Sequence, residues 1–293
     1  MKAAPVNIHL SWGTLEGLHW SRPGAPKVLC LHGWLDNAAS FVPLAPFLGD
    51  FDLLALDLAG HGFSSHRPQN CRYYFTEYLY DIDAALQALG WDRCHFIGHS
   101  MGGGIASSIA AALPERVDRL VLLDAIGTLT LPSDQSAQQL RLSMLSVRRG
   151  RSFLRPYESI EEAMQARQNK TPLSDDAARL LCERALEHTG DFYQWRTDPR
   201  LNWRSPHLLN DAQALGLLTA IRSHTLAIST PSVSEYLGND RLQQRLSAIA
   251  ECTHVSDDGH HHFHMEQPQR TGARITAFLL QSPSTQARHQ GTQ

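Results

Sequence analysis

Short apolar runs recur along the first 125 residues of the chain, and longer stretches with helical spacing separate them. Continuous apolar runs of this length are typical of strands buried on both faces of a sheet. The strands predicted in this way are residues 27–31, 51–56, 94–97 and 117–123. Ahead of them, residues 6–12 and 15–20 alternate apolar and polar positions on either side of Gly13-Thr14, which predicts a hairpin.

Helices are predicted between these strands, most clearly over residues 76–89, where apolar side chains recur every three or four positions. The other predicted helices are residues 40–48, 101–113 and 269–280. Residues 130–218 are helical and polar in pattern with no convincing strand, and strands resume at residues 225–228 and 253–256. Alternating strands and helices predict an α/β fold with a mainly parallel sheet, so functional residues are expected directly after strands.

Length, net charge and cysteine spacing limit the class of protein but indicate no binding partner. A length of 293 residues fits one large α/β domain with an insertion, or two smaller domains. The formal net charge of -3 gives no bulk signal for nucleic acid or an anionic membrane. We expect no signal peptide, because residues 1–5 lead into alternating strand-like sequence and not into an apolar segment. No uncharged apolar run reaches the ~18 residues of a membrane helix, so we expect no membrane span and a cytoplasmic location. The cysteines are scattered and lack CxxC spacing, which predicts buried reduced thiols. They are Cys30, Cys71, Cys94, Cys182 and Cys252.

The sequence GHSMG at residues 98–102 directly follows a predicted strand and directly precedes a predicted helix. A serine between two such glycines, in strand–turn–helix context, is the pattern of a nucleophile elbow. The sharp turn strains the backbone at the serine, and the glycines remove side chains that would collide there. We therefore predict Ser100 as a nucleophile exposed at the sheet edge and His99 as a packed elbow residue. The alternative is a glycine-rich turn without chemistry.

The sequence LHGW at residues 31–34 follows an earlier predicted strand. An enzyme that transfers an acyl group stabilises a developing oxyanion with preorganised N–H groups, and each donor is worth about 10²–10³ in rate. The elbow would supply the backbone N–H of Met101. Gly33 lets the earlier loop approach closely, so the backbone N–H of Trp34 is the second predicted donor. The alternative is that the His-Gly pair only makes a turn.

Four motifs follow one another along nearly the whole chain: LHGW at 31–34, DLAGHGFS at 57–64, GHSMG at 98–102 and GHHHFHMEQP at 259–268. In this order they resemble the α/β-hydrolase superfamily. The sequences LHGWLDNAASF, GHGFSSH and HFHMEQP most resemble the serine hydrolase-like proteins.

The resemblance implies an α/β-hydrolase fold, with a mostly parallel eight-stranded sheet and helices on both faces. It implies a core of residues 1–129 and 219–280 and a helical cap of residues 130–218, inserted after strand 6. For Asp57, in the second motif, it implies a structural role, and we assign that residue no chemistry. Residues 281–293 are polar, and we predict a disordered tail there.

In this superfamily the catalytic histidine usually lies seven residues before a proline that opens the last helix, and counting back from Pro268 gives His261. His261 would take the serine proton and return it to the leaving group. His260 is the alternative base. His260, His262 and His264 alternate, as metal ligands can, but no carboxylate or cysteine spacing supports a metal. A serine elbow needs none, so we predict neither a metal nor a cofactor.

The acid of a catalytic triad is missing from its usual place in the superfamily, after the seventh strand, where this chain has LAISTPS at residues 226–232. Glu235 and Asp240 lie further along, in a stretch that can be helical. Some superfamily members carry the acid after the sixth strand, and here that strand ends in LLDA with Asp124. We predict Asp124 as the acid. A capping role at the strand end is the alternative for Asp124, and a residue after the seventh strand stays open as the acid.

These residues together predict a serine hydrolase that acts on a carboxylic ester or related acyl bond of a small molecule through Ser100, His261 and Asp124. A thioesterase or a carbon–carbon bond hydrolase could use the same groups. The missing usual acid leaves a non-catalytic ligand-binding fold as a second hypothesis. The oligomeric state is not indicated. The cap arginines could meet an anionic substrate but are expected to be solvated surface. They are Arg196, Arg200 and Arg204.

Overall fold

An eight-stranded sheet forms the centre of the protein in the computed structural model, which describes residues 2–150 and 155–281. The strands are β1 Ala4–Leu10, β2 Gly13–Trp20, β3 Lys27–Leu31, β4 Asp52–Leu56, β5 Cys94–His99, β6 Val117–Leu123, β7 Leu186–His188, β8 Tyr193–Trp195, β9 His224–Ser229 and β10 Cys252–Ser256. In the main sheet they lie in the order β1-β2-β4-β3-β5-β6-β9-β10. Strand β2 is antiparallel to both of its neighbours, and all other neighbouring pairs are parallel.

Helices cover both faces of this sheet. The helices of the described chain are α1 Phe75–Ala88, α2 Met101–Ala112, α3 Ser136–Arg148, α4 Ile160–Gln168, α5 Asp175–Ala185, α6 Asp211–Ala220, α7 Pro231–Leu237, α8 Asn239–Ala248, α9 Phe263–Glu266 and α10 Pro268–Leu279. Alternate side chains of β3 serve the two faces: Leu29 packs in the cluster with α1, α2 and α8, whereas Val28 packs with α10. The predicted α/β-hydrolase architecture, with its mostly parallel eight-stranded sheet, is confirmed.

The chain between β6 and β9 leaves the main sheet and carries helices α3 to α6. Within it β7 and β8 pair as a short antiparallel hairpin, so the prediction that residues 130–218 contain no strand is wrong. Each of these strands has three residues and exposed positions, too few for an alternating pattern to be read. Helix α6 already packs Leu218 into the main core cluster, so the domain boundary at residue 219 stays a prediction.

Two ion pairs join this insertion to core loops that follow β3 and β4. On α4, Arg167 pairs with the buried Asp36, and it also donates to the carbonyl of Leu35 over 3.3 Å. On α5, Arg184 Nη2 lies 2.8 Å from Asp57 Oδ2. Both carboxylates are almost completely buried, so each arginine neutralises a charge that would be costly to leave unpaired.

Three local predictions were wrong, each because of a neighbouring residue. The hairpin turn lies at residues 11–12 instead of Gly13-Thr14, because Gly13 already pairs with Leu10. Residues 40–48 form two 3-10 turns, Ala38–Phe41 and Ala45–Leu48, because prolines interrupt a continuous helix. Arg200 is buried, because it pairs with the equally buried Asp198 at 2.6 Å.

All five cysteines are unpaired. Cys30, Cys94 and Cys182 are buried as predicted, whereas Cys71 and Cys252 are only half-buried, so the predicted burial is wrong for those two. None of the helices in residues 2–150 and 155–281 has the length and apolar character needed to cross a bilayer. Apart from Gln281, the tail predicted to be disordered lies outside the described residues.

Candidate active site

Ser100 lies at a sharp turn between β5 and α2, at the carboxyl edge of the sheet. Its backbone has φ +52° and ψ -117°, a left-handed conformation that non-glycine residues rarely adopt. The glycine at position 102 is required, because a Cβ there would collide with the carbonyl of Leu31. The Ser100 N–H donates to the carbonyl of Leu123 over 3.0 Å, which ties the turn to the end of β6. These contacts hold the partly exposed Ser100 in the geometry of a nucleophile elbow.

The two backbone N–H groups predicted as oxyanion donors have no acceptor in the part of the chain that the structure describes. Among the described residues, neither the Trp34 N–H nor the Met101 N–H donates to a backbone or side-chain group. His32 holds the loop before Trp34: its Nδ1 donates to the Gly33 carbonyl over 2.7 Å, and its Nε2 accepts from the N–H of Leu58 over 2.9 Å. Burial lowers the pKa of His32 to about 4, so it stays neutral and keeps this tautomer near pH 7.

His261 and Asp124, from distant parts of the chain, meet at the same edge. His261 Nδ1 donates to Asp124 Oδ2 over 2.6 Å, which leaves Nε2 as the basic nitrogen. Asp124 Oδ1 accepts from the Thr230 N–H over 2.7 Å and from its hydroxyl over 2.8 Å. Burial alone would raise the pKa of Asp124, but the hydrogen bonds from His261 and Thr230 outweigh it and keep the pKa below its ordinary value. Asp124 is therefore a buried carboxylate that remains charged.

Some predicted contacts are not made. Among the described residues the Ser100 hydroxyl takes part in no hydrogen bond, so it does not reach His261 Nε2 in this state. Such contacts often tighten only when substrate binds. His260, the alternative base, has an exposed side chain without a partner in the described chain. Glu235 and Asp240, the alternative acids, are exposed residues of α7 and α8, and neither bonds to His261.

A buried cluster behind this site was not predicted from the sequence. Asp36 Oδ2 lies 3.1 Å from His262 Nε2 and 3.5 Å from His99 Nδ1, and Asp36 Oδ1 pairs with Arg167. Burial alone would raise the pKa of Asp36, but His262 and Arg167 hold it well below its ordinary value. The three core residues come from distant parts of the chain, so no local pattern connects them. The one available signal was that Asp36 follows the LHGW motif.

The same three core residues are the ones whose ligand atoms could hold a metal ion, since these atoms lie within 4.8 Å of one another. However, both oxygens of Asp36 already accept from His262 and Arg167, and a cation there would lie beside a guanidinium. We therefore interpret the group as a hydrogen-bonded cluster. Of the alternating histidines, His260 is exposed and His264 Nε2 lies 2.7 Å from Ser40 Oγ, so neither joins this group.

Comparison with known proteins gives the family. Residues 26–266 match the family model described as the alpha/beta hydrolase fold. The chain is 32% identical to a serine hydrolase-like protein of Danio rerio, over 99% of this chain and 93% of the relative. It is 29% identical to serine hydrolase-like protein 2 of Homo sapiens, over 94% of this chain and 93% of the relative.

Solved structures agree with this result. A hypothetical protein from Pseudomonas aeruginosa PAO1 superposes with a TM-score of 0.86 at 34% identity, and the match covers 94% of this chain and 99% of that one. A thioesterase domain from the curacin biosynthetic pathway superposes with a TM-score of 0.82 at 24% identity, covering 94% and 100% of the two chains, and shows the shared fold. The chain therefore belongs to the α/β-hydrolase superfamily, among the serine hydrolase-like proteins.

Proposed function

We propose that this protein is a serine hydrolase that cleaves a carboxylic ester or a related acyl bond, with Ser100 as nucleophile, His261 as base and Asp124 as acid. The observation that carries the proposal is the 2.6 Å hydrogen bond from His261 Nδ1 to Asp124 Oδ2, at the sheet edge where the strained Ser100 follows β5. A histidine oriented by a buried carboxylate beside a serine elbow is the arrangement that activates a weak hydroxyl nucleophile.

In the acylation step the Ser100 oxygen attacks the carbonyl carbon of the substrate, and His261 Nε2 takes the hydroxyl proton. The carbonyl oxygen becomes an oxyanion, which the unoccupied N–H groups of Trp34 and Met101 are suited to bind. When the tetrahedral intermediate collapses, the bond to the leaving oxygen breaks and His261 gives its proton to that oxygen. The products are an alcohol and an acyl group bound to Ser100.

In the second step a water molecule attacks the acyl carbon while His261 Nε2 takes one of its protons. Collapse breaks the bond to Ser100, whose oxygen recovers that proton, and the carboxylic acid leaves. In both steps His261 is transiently an imidazolium, and the charge of Asp124 stabilises it. The two Thr230 hydrogen bonds support this role, because they keep the other carboxylate oxygen of Asp124 ionised and fixed.

The position of the acid is the main departure from the usual superfamily pattern, and the local contacts explain how it is accommodated. Strand β9 ends at Ser229, and Thr230 follows where the acid usually occurs. Thr230 donates to Asp124 from the neighbouring strand end instead of supplying a carboxylate itself. The triad order serine, aspartate, histidine along the chain is kept.

The test is covalent labelling with a fluorophosphonate probe, followed by mass spectrometry of the peptide that contains Ser100. We expect one label on Ser100, release of p-nitrophenol from short acyl esters, and loss of both in Ser100→Ala. Ser136→Ala, which removes an exposed serine outside the site, is the matched control and should label like the unmodified protein.

A panel of esters and thioesters of varied chain length then separates the acyl bonds that the same groups could cleave. Ester turnover that persists in Ser100→Ala would reject the mechanism. A folded protein that binds small molecules tightly but never labels at Ser100 would instead favour a non-catalytic ligand-binding fold.

A further inference from the structure

The peptide carbonyl of His261 is held by one side chain. His99 Nε2 donates to the His261 carbonyl oxygen over 2.9 Å. No backbone N–H of the described residues donates to this oxygen, although the neighbouring carbonyls of His260 and His262 accept from Phe263 and Met265. Within residues 2–150 and 155–281, the main chain of the proposed base therefore has one hydrogen bond, and its donor is the residue directly before Ser100.

His99 can donate this bond only when Nε2 carries a proton, either in the neutral Nε2–H tautomer or in the imidazolium. Burial lowers the pKa of His99 to about 4, so the ring is neutral near pH 7 and carries a single N–H. Because a carbonyl oxygen can only accept, that proton is on Nε2. His99 Nδ1 is then an unprotonated nitrogen, buried and without a hydrogen-bond partner among the described residues, 3.5 Å from Asp36 Oδ2.

Asp36 is fixed in turn by two other elements. His262 donates to Asp36 Oδ2, and Arg167 of α4 pairs with Asp36 Oδ1. Gly33 makes room for the group, since a Cβ there would lie 3.0 Å from both Asp36 Oδ2 and His99 Nδ1. The cluster of Asp36, His99 and His262 thus connects four segments: the elbow, the loop after β3 that carries the proposed donor Trp34, the loop that carries His261, and the insertion.

We propose that His99 is a positioning residue that fixes the main chain at His261 relative to Ser100, and that Asp36, held by Arg167 of the insertion, fixes the same loop through the hydrogen bond that it accepts from His262. This inference rests on the proposed function for its effect on rate. The proposal also predicts that His99 sets the geometry of the His261–Asp124 hydrogen bond, and this geometry can be measured without enzyme turnover.

The structural readout is the proton in the short His261 Nδ1–Asp124 Oδ2 bond, which should give a far-downfield ¹H resonance. Its loss in Asp124→Asn assigns it. His99→Met removes the donor at similar volume, and we expect the resonance to shift and its exchange with water to speed up. His99→Gln keeps an N–H donor near the position of Nε2, so the resonance should return towards its original position.

The kinetic readout is the rate of Ser100 acylation. A displacement of the base by about 1 Å can cost on the order of 10² in rate, so His99→Met should lower kcat about 10²-fold with little change in KM. His99→Gln should recover most of that loss. A structural lesion alone would lower apparent kcat only in proportion to the folded fraction, so kcat is expressed per folded protein, and such a lesion would not be relieved by a single amide donor.

A matched pair of variants tests the role of the Arg167–Asp36 ion pair. Arg167→Met and Arg184→Met each remove one ion pair between the insertion and a core loop, but only the first acts on Asp36. We expect Arg167→Met to shift the downfield resonance and slow acylation roughly tenfold. Arg184→Met should leave both unchanged in the folded protein.

Two outcomes would overturn the proposal. A resonance that stays in place in both His99→Met and Arg167→Met would show that the base is held without them. Equal effects of Arg167→Met and Arg184→Met would show general loosening of the insertion. If the unmodified protein never labels at Ser100 while the resonance responds as expected, the proposed function fails and the positioning role stands.

Discussion

Three non-glycine residues of the described chain have a left-handed backbone, and all three border the candidate site. They are Leu35 at φ +62°, Ser100 at φ +52° and Asp124 at φ +50°. Each such conformation costs on the order of 1–3 kcal/mol and persists only where surrounding contacts hold it. One follows the proposed oxyanion loop, one carries the proposed nucleophile and one the proposed acid. Strain at the scale of single residues is thus concentrated where the chemistry is proposed.

The backbone at Asp124 makes asparagine the informative replacement. Asparagine tolerates a left-handed φ better than most residues and keeps the shape of the side chain, so Asp124→Asn should fold. It removes the charge that supports a protonated His261 and favours the wrong tautomer, so kcat/KM should fall about 10³–10⁴-fold. Ester turnover and melting temperature measured together check this. Asp258→Asn, at an exposed aspartate, is the control, and full activity in Asp124→Asn would contradict the assignment.

Sequence patterns predicted helices and strands well where burial requires a regular pattern of apolar residues, and poorly elsewhere. Strands β3 and β6 were predicted with their observed bounds, because continuous apolar runs are read directly from the chain. The hairpin of β7 and β8 was missed because its exposed three-residue strands leave no periodicity. For the site, motif spacing led to Ser100 and His261. The cluster around Asp36 could not be predicted, because it exists only once four distant segments have packed together.

At the scale of elements, one arginine holds the connection from β6 into the insertion. Arg245 of α8 is 2% exposed. It donates to the carbonyls of Ile126 over 2.9 Å and of Thr128 over 2.8 Å, and its Nη2 lies 3.0 Å from Thr130 Oγ1. This connection begins directly after Asp124. The position of the proposed acid thus depends on a helix that follows β9.

Arg245→Met should destabilise the protein by about 2–4 kcal/mol, because it leaves two buried carbonyls without donors. Urea unfolding followed by tryptophan fluorescence measures this loss. Arg241→Met is the matched control on the same helix. Arg245 and Arg241 both lie near Asp211, at 3.4 and 3.5 Å, but within the described chain Arg241 makes no other polar contact, so its loss should cost under about 1 kcal/mol. Equal losses in the two variants would contradict the role given to Arg245.

For the whole molecule, buried neutral histidines determine the response to acid. Burial lowers the pKa of His32 and His99 to about 4 and that of His61 to about 3. In the unfolded chain these rings titrate near pH 6.5, so below that pH unfolding takes up protons. Stability is therefore present above pH 6.5 and is lost as the pH falls towards 4. Asp81 acts in the opposite direction, because burial raises its pKa to about 6.

We expect the free energy of unfolding to fall by several kcal/mol between pH 6.5 and 4, since each such histidine contributes up to about 1.4 kcal/mol per pH unit. Urea titrations at pH 7, 6 and 5 give the slope. His61→Asn keeps a donor for the Ala59 carbonyl, which His61 Nδ1 contacts at 3.0 Å. It should reduce the slope of unfolding free energy against pH by the contribution of one histidine. His188→Gln, at an exposed ring, should not change it. A flat profile in the unmodified protein would contradict this account.

The order of strands in the sheet also has a consequence for synthesis on the ribosome. Strand β6 ends at Leu123, but its outer neighbour β9 begins only at His224. At about 5–20 residues per second, roughly 5–20 s pass between the two. During that interval the outer edge of β6 has no partner strand. The side chains of residues 120–123 in β6 are fully buried in the finished fold. Nascent chains stalled before residue 224 should therefore crosslink to ribosome-associated chaperones more strongly than chains stalled after the whole sheet has emerged.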